Sequence, residues 1–544
     1  MATQAARAGG VTRPPQAITT STEEVVPYRW IILVGLITAA ILEVLDSTIV
    51  NVSLPQIAGN LGATYQEIGW VSTGYILSNV IVLPMTAWLA SRFGRKRYLV
   101  GSILLFIVAS MACGLSHSLA ELVFWRIVQG SGGAALLSTA QATLREIFPR
   151  EQQGMVQAIY IVGVIMAPTL GPTLGGWITD NYSWPFIFFV NLPIGLFSAI
   201  IVAAFLSDAK YRVPTQKIDW GGIGLLTIGL GSLQYVLEEG NENDWFEDPT
   251  ITALSIVAAV AIITLLIWEL HPRNTQPVVN LRVLKNRDLS AALALFTALG
   301  FGLYGGIFIF PLFVQNILGF TATQTGLVLM PGGVATGISA IVCGRLLNGK
   351  TSLVNPRIII MIGMTIFVLS MWQLGHLTTA SGEPDTRFAL IIRGAGLGLL
   401  FTPINLAAFN SLKGAEIAQG ASMLNLVRQL GGSFGIAILS TYITRMTAIH
   451  RVQLISHLYP GNPAFDQRVT SLTQVFLSHG YGLPQAKQAA LAMIDGIVVR
   501  QSMTMSYNDG FLLIGLSVVV VAPAVLLLRS QKKSQAAAAA AEMH

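Results

Sequence analysis

Runs of about twenty apolar residues, each closed by a short polar or charged stretch, recur through almost the whole chain. At a rise of 1.5 Å per residue, a helix of that length crosses the ~30 Å hydrocarbon core of a bilayer. Such runs fall near 30–52, 67–89, 98–116, 119–144, 154–178, 185–206, 219–237, 250–270, 289–316, 324–347, 357–376, 387–410, 418–445 and 505–528. The pattern predicts an all-α polytopic membrane protein with about 14 transmembrane helices.

Composition agrees. Of the 544 residues, 53% are hydrophobic and only 11% charged, with a mean hydropathy of +0.64; a soluble domain carries about a quarter charged residues. Cys113 and Cys343 both sit inside apolar runs, too few and too isolated for a disulfide framework or a zinc site. The net charge of +6 is dispersed over short loops, which argues against a nucleic-acid module and for membrane topology.

Short loops rich in Lys and Arg stay in the cytoplasm. Arg92, Arg95, Lys96 and Arg97 follow the second span, Arg145 and Arg150 the fourth, Lys210, Arg212 and Lys217 the sixth, and Arg282, Lys285 and Arg287 the eighth. The loop after the seventh span, EEGNENDWFEDP, is acidic throughout. Both termini are therefore expected in the cytoplasm. The expected organisation is a cytoplasmic tail (1–27), an N-terminal six-helix bundle (28–206), a linker with two inserted transmembrane helices (207–288), a C-terminal six-helix bundle (289–529) with a long periplasmic loop (446–503), and a second tail (530–544).

One stretch suggests a different chemistry. GRLLNGKTS, Gly344 to Ser352, fits the phosphate-loop pattern G-x-x-x-x-G-K-[ST] through Gly344, Gly349, Lys350 and Thr351. That pattern works only between a strand and a helix N-terminus, whereas here an apolar span precedes it and SLVNPR, with Pro356, follows. It reads as a turn between spans. No nucleophile and base constellation and no clustered metal ligands occur, so an enzyme is not expected; with no soluble module there is neither an ATP-driven pump nor the output domain of a sensor.

The turn has a second copy: AWLASRFGRKR closes the second span as CGRLLNGKTS closes the tenth. WRIVQGSGG in the fourth span (Arg126, Gly130, Gly132, Gly133) likewise pairs with IRGAGLG in the twelfth (Arg393, Gly394, Gly396, Gly398). Repeated halves around a central cavity are the architecture of secondary transporters.

Ionisable residues inside spans are expensive and mark function by default. Glu43 and Asp46, three apart, share one face of the first span. Asp46 lies nine residues below Pro55 and Arg126 eight below Ser118, which puts both roughly 12–14 Å deep. They can pair. Asp46, with Glu43, is the expected proton-carrying carboxylate, tuned by desolvation and by Arg126; a static ion pair that fixes packing is the alternative. No His lies well inside a span. Arg393 and Arg428 are the buried cations of the second half and either bind an acidic substrate or lock a helix to its neighbour. Tyr75, Tyr304, Phe308 and Trp372 are candidates for lining a drug cavity.

Taken in order, LDSTIVNVSLPQIAGNL, WLASRFGRKR, RIVQGSGGA, APTLGPTLGG, IFFVNLPIG, LQYVLEEGNENDWF and NLVRQLGGSFG resemble the signature set of the fourteen-helix drug:proton antiporters of the major facilitator superfamily, with EmrB-type multidrug efflux transporters the best match. The resemblance implies a major facilitator fold, two six-helix bundles plus two additional helices, in a bacterial inner membrane. It implies export of amphipathic or hydrophobic compounds by H+ antiport with alternating access, with no cofactor beyond the proton gradient, Asp46 and Arg126 as the coupling pair, and membrane lipid as surroundings. It also implies an EmrA-type periplasmic adaptor and a TolC-type outer-membrane channel as partners. A dedicated exporter of one metabolite, fatty acid or siderophore is the alternative. Pro168, Gly171, Pro172, Gly175 and Gly176 match the antiporter motif expected where the two halves meet. Gly94, Arg95 and Lys96 match the conformational latch; Ser91 stands where most relatives carry Asp, and Pro185 where the larger family often has Arg.

Overall fold

The structure is a computed structural model that describes residues 27–207, 218–272, 274, 277–347, 355–410, 412 and 414–528. Among the described residues there is no strand. Helices stand at all the expected places: α1 (Arg29–Leu61), α2 (Trp70–Phe93), α3 (Arg95–Gly114), α4 (Leu119–Ile147), α5 (Gln153–Asn181), α6 (Phe186–Phe205), α7 (Trp220–Glu239), α8 (Pro249–Leu270), α9 (Arg287–Asn316), α10 (Ala322–Leu346), α11 (Pro356–Leu374), α12 (Glu383–Phe409) and α13 (Ala415–Ile455). Two more, α14 (Pro463–Ser478) and α15 (Leu483–Val521), complete the chain.

Their ends follow local chemistry. Asp248 caps α8 ahead of Pro249, Asn355 caps α11 ahead of Pro356, and Thr321 with Gln324 forms a capping box on α10. Gly94, at φ 87°, makes the sharp corner between α2 and α3, a conformation that a side chain would strain.

Among the described residues, eleven helices are long and apolar enough to span a membrane, and twelve when the two arms of α5, bent by 41° between Pro168 and Leu170, count as one. α4 and α13 fall outside that set because each faces the protein interior and carries polar groups there: Arg126, Gln129 and Gln141 on α4, Asn425 and Arg428 on α13. α8 is the opposite case. Ile256, Val260, Ile263 and Ile267 form an exposed apolar stripe at helical spacing, a face built for lipid.

Packing repeats between halves. α1 against α5 and α6, and α4 against α2 and α3, recur as α9 against α13 and α15, and α12 against α10 and α11. The seams between the halves differ. α5 and α10 meet along their whole length: Gly326 sits against Thr173, Gly337 against Val162 and Gly344 against the Gly154 carbonyl. α13 meets α2 chiefly over its Leu83–Phe93 end, and α7 covers the rest of that seam. Gln234, Asn241 and Trp245 of the α7 region donate to Ser433, Ser440 and Thr441 of α13, each at 2.9 Å.

The expected long loop 446–503 is not a loop. α13 continues to Ile455, α15 begins at Leu483, and α14 packs on α15 through Leu472, Ala490 and Ile494. Arg451 with Asp495 and His450 with Asp509, both at 2.8 Å, tie α13 to α15. The tails 1–26 and 529–544, Lys210, Arg212 and Lys217, and Asn348–Ser352 of the phosphate-loop look-alike lie outside the described residues. What precedes that look-alike is helix α10, and its Gly344 serves close packing on α5.

Candidate functional site

Asp46 and Arg126 meet, as their equal depth predicts. Arg126 Nη1 donates to Asp46 Oδ2 at 2.6 Å, with 1% and 0% of the two side chains exposed. Buried charges of this kind survive only with further partners, and the fold supplies them. Arg126 Nε donates to the Val71 carbonyl at 3.0 Å, and its guanidinium stacks 4.3 Å from the Tyr75 ring. Asp46 Oδ1 accepts from Gln129 Nε2 at 2.9 Å and from Asn191 Nδ2 at 2.7 Å. Gln129 and Asn191 were not singled out from sequence, although Asn191 stands inside the IFFVNLPIG motif; neutral amides in a span carry no charge signal.

Glu43, one turn away on the same face, is bound differently. Asn79 Nδ2 approaches its Oε1 at 3.5 Å, and its Oε2 has no hydrogen-bond partner. α4 gives way beside it: a Cβ on Gly133 would stand 2.8 Å from the Tyr75 hydroxyl and 3.5 Å from Glu43 Cγ.

A cavity between the halves runs beside this face. Its lining includes Tyr160 and Pro168 of α5, Phe296 and Tyr304 of α9, Phe401 of α12 and Arg428 of α13. About 30 Å3 of it is free, room for about two waters and far below the several hundred Å3 that a drug-sized ligand fills. The halves are thus closed around it. Of the expected lining residues, Arg428 and Tyr304 are in place, with Arg428 Nη1 donating to the Tyr304 hydroxyl at 3.0 Å. Tyr75 is instead fully buried under Arg126, Phe308 is half-buried outside the lining, and Trp372 is 54% exposed on the outer surface of α11.

Arg393 also lies outside the lining. Its Nη2 donates to the Leu303 carbonyl at 3.1 Å, and its Nε is buried without a partner. The expected match of Arg393 to Arg126 is out of register. Gly132 abuts the backbone of α3 at Phe106 as Gly396 abuts that of α11 at Phe367, and Gly130 and Gly394 likewise pack on α2 and α10. Arg393 therefore occupies the place of Gln129.

From the cavity wall, where Gln141, Asn405 and Asn425 stand, polar side chains join the halves. Asn425 Nδ2 donates to Gln141 Oε1 at 3.0 Å, Gln141 donates to Asn405, and Arg145 reaches Asn410 at 3.0 Å. Thr86 donates to Ser422 Oγ at 3.3 Å, and Ser422 to the Leu83 carbonyl at 2.6 Å. These contacts close the end that carries the basic loops.

Two motifs act differently from expectation. Gly171 and Gly175 face α1, where a Cβ would collide with Thr48 and the Ile49 backbone, so they serve packing within one half; Gly176 faces Val52 more loosely. The contact between halves falls to Thr173 on the same helix. In the latch, Arg95 makes a two-pronged ion pair with Glu146 at the end of α4, while Ser91 turns its hydroxyl back to the Trp88 carbonyl at 2.7 Å. Lys96 has a partner of its own.

Comparison with known proteins fits this geometry. Residues 36–436 match the family model described as Major Facilitator Superfamily. The chain is 34% identical over 482 residues, 88% of its length and 91% of the relative's, to "Multidrug export protein EmrB" of Escherichia coli K12. It is 31% identical over 486 residues, 89% of its length and 93% of the relative's, to "Fatty acid resistance protein FarB" of Neisseria gonorrhoeae. In fold it is similar to the human organic anion transporter MFSD10 (TETRAN), with a TM-score of 0.54 at 12% identity, covering 93% of this chain and all of that one.

Proposed function

Starting from the fact that the chain belongs to the Major Facilitator Superfamily, we propose that it is a multidrug efflux transporter that exports amphipathic or hydrophobic compounds in exchange for protons. The observation that carries this reading is the placement of two buried carboxylates, Glu43 and Asp46, on α1 beside a cavity that both halves share and that has the cation Arg428 in its wall. A carboxylate there can hold a proton or leave it, and a ligand or proton shifts an alternating equilibrium only by its differential affinity for the two states. The relatives named as multidrug export proteins support the breadth of substrate.

In this reading the basic loops face the cytoplasm of a bacterial cell, the protein sits in the inner membrane, and the contacts from Thr86–Ser422 to Arg145–Asn410 form the closed cytoplasmic gate. The energy source is the proton gradient. The helical projection of α13, α14 and α15 then stands in the periplasm, where an EmrA-type adaptor leading to a TolC-type channel would engage it. A second reading, a dedicated fatty-acid exporter working by the same mechanism, is favoured by the likeness to the fatty acid resistance relative and by an arginine in an aromatic-lined cavity.

The test is ethidium uptake into inside-out proteoliposomes of the purified full chain. Accumulation driven by an inside-acid gradient and indifferent to ATP is expected. Uptake that required ATP would overturn the proton-driven reading.

A further inference from the structure

Asp46 and Glu43 lie on the same helix face, yet the protein treats them unlike one another. Asp46 is fully buried and accepts from three donors, Arg126, Gln129 and Asn191, so both of its oxygens are engaged. A proton arriving there would have to displace a guanidinium and leave Arg126 uncompensated in the interior, a costly arrangement. Glu43 keeps 8% of its surface, accepts one long bond from Asn79, and leaves Oε2 with no donor. A buried carboxylate in that condition needs either a proton or a counter-charge.

The counter-charge is in view. Arg428, in the wall of the cavity, acts on Glu43 through space without a hydrogen bond or an ion-pair contact to it. Its own donors go to Tyr304 and, at 3.5 Å, to Asn425. It carries no carboxylate contact of its own, whereas Arg126 does. The groups around Glu43 are otherwise Asp46 on α1, Tyr75 and Asn79 on α2, Tyr160 on α5 and Tyr304 on α9; on α4, Gly133 lies against it and the nearby Arg126 is taken up by Asp46 and Tyr75. Among the described residues, Arg428 is the cation that acts on Glu43 and is not already paired with a carboxylate, and it belongs to the opposite half.

We propose that Glu43 is the carboxylate that loads and releases the transported proton, with Arg428 as its counter-charge across the cavity, while Asp46 is a fixed anchor for Arg126. This rests on the proton-exchange reading above and divides its labour between the two acids. The step is a proton transfer: water delivers a proton to Glu43 Oε2 on one side, and Glu43 returns it to water on the other, with Arg428 charged throughout. Ionised Glu43 attracts Arg428 and so draws α1 towards α13. Protonated Glu43 removes that attraction and leaves Arg428 to Tyr304 and to whatever the cavity then holds. Proton occupancy thereby alters the force between the two halves, which is what coupling to alternating access requires.

The decisive measurement is the infrared C=O stretch of protonated carboxyl groups, followed through a pH titration of the full chain in lipid nanodiscs. Against the background of other carboxyls such as the buried Glu269 and the half-buried Glu238, the wild type and Asp46→Asn are expected to share a titrating component that is lost in Glu43→Gln. Glu43→Gln keeps the size and the Asn79 contact of the side chain, so it decides the assignment even where Asp46→Asn does not hold its fold. In Arg428→Met the midpoint is expected to move up by about 1–3 pH units, because a nearby cation favours the charged carboxylate. A titration unchanged in Glu43→Gln, or a component that disappears instead in a folded Asp46→Asn, would overturn the proposal, as would an unmoved midpoint in Arg428→Met. Ethidium flux under a pH gradient, read on the same proteins in liposomes, tests the exchange reading separately. A band that follows Glu43 in a protein that moves no ethidium sinks that reading and leaves Glu43 a proton site outside transport.

Discussion

Arg393 of α12 lies over Gly306 of α9, where a Cβ would stand 2.5 Å from its Nη2. In the first half the residue matching Arg393 is Gln129, which donates to Asp46 at 2.9 Å. The second half thus has a cation where the first has an amide, and that cation holds the Leu303 backbone carbonyl where the amide holds a carboxylate. The two bundles share their packing but not their charges.

That asymmetry predicts opposite outcomes for two arginines. Arg126→Met strands Asp46 as a buried, uncompensated charge and is expected to cost about 3–5 kcal/mol. Arg393→Met removes a buried charge that holds one backbone carbonyl and no carboxylate, so its effect is expected within about 1 kcal/mol, of either sign. Thermal unfolding of the two variants in detergent checks this. Equal losses would mean that Arg393 has a carboxylate partner in the protein as it exists in solution.

The seam between α5 and α10 predicts a contrast between glycines. A Cβ on Gly344 would lie 2.5 Å from the Gly154 carbonyl, which is backbone and cannot swing aside, whereas a Cβ on Gly101 meets nothing within 4 Å. Gly344→Ala is expected to destabilise by about 1–3 kcal/mol. Gly101→Ala is expected to be neutral or to stabilise by about 0.5–1 kcal/mol, since alanine loses less backbone freedom in a helix. Melting temperatures of both, measured side by side, decide it.

The cap of α8 predicts a pH dependence. Asp248 Oδ1 accepts from the backbone N–H of Thr250 at 2.7 Å and of Ile251 at 3.0 Å, and these donors hold its carboxyl below the usual aspartate range. Its native value is thus depressed relative to the unfolded chain. The stabilisation is complete above the unfolded value of about 3.9 and fades as pH falls through the lower native one. Hydrogen exchange at the first turn of α8 is expected to be faster in Asp248→Ala than in the wild type at neutral pH, with the difference shrinking below about pH 4. A difference independent of pH would remove the charge from the account.

How much of this was legible in the sequence depended on the kind of signal. The spans stand out because crossing a bilayer demands an unbroken apolar run, and Asp46–Arg126 because depth can be counted from helix ends. Gln129 and Asn191 escaped since a neutral amide in a span looks the same whether it serves a carboxylate or its own helix. The glycine pattern in α4 and α12 was recognised but aligned on its arginines, when packing aligns it on Gly132 and Gly396. Glu146 was invisible as the partner of Arg95 because 51 residues separate them and only the corner at Gly94 brings them together. The 446–503 segment read as a loop because its polar surface masks helices that bury only a narrow stripe, Leu472 on α14 against Ala490 and Ile494 on α15.

The proposed gate can be tested directly. Thr86 Oγ1 of α2 and Ser422 Oγ of α13 stand 3.3 Å apart, both buried, at the end that bears the basic loops. If the halves part there in each turn of transport, a bond between these positions must stop it. Thr86→Cys with Ser422→Cys is expected to form a disulfide under mild oxidation, to abolish ethidium transport and to regain it on reduction. The native thiols, Cys113 and Cys343, are both buried and free, on α3 and α10, and do not compete. Reaction depends on exposure, so faster cross-linking under conditions that favour turnover would report the gate opening. Full transport by the oxidised protein would mean that this contact does not separate, and the alternation would have to be sought at the α7 and α13 seam.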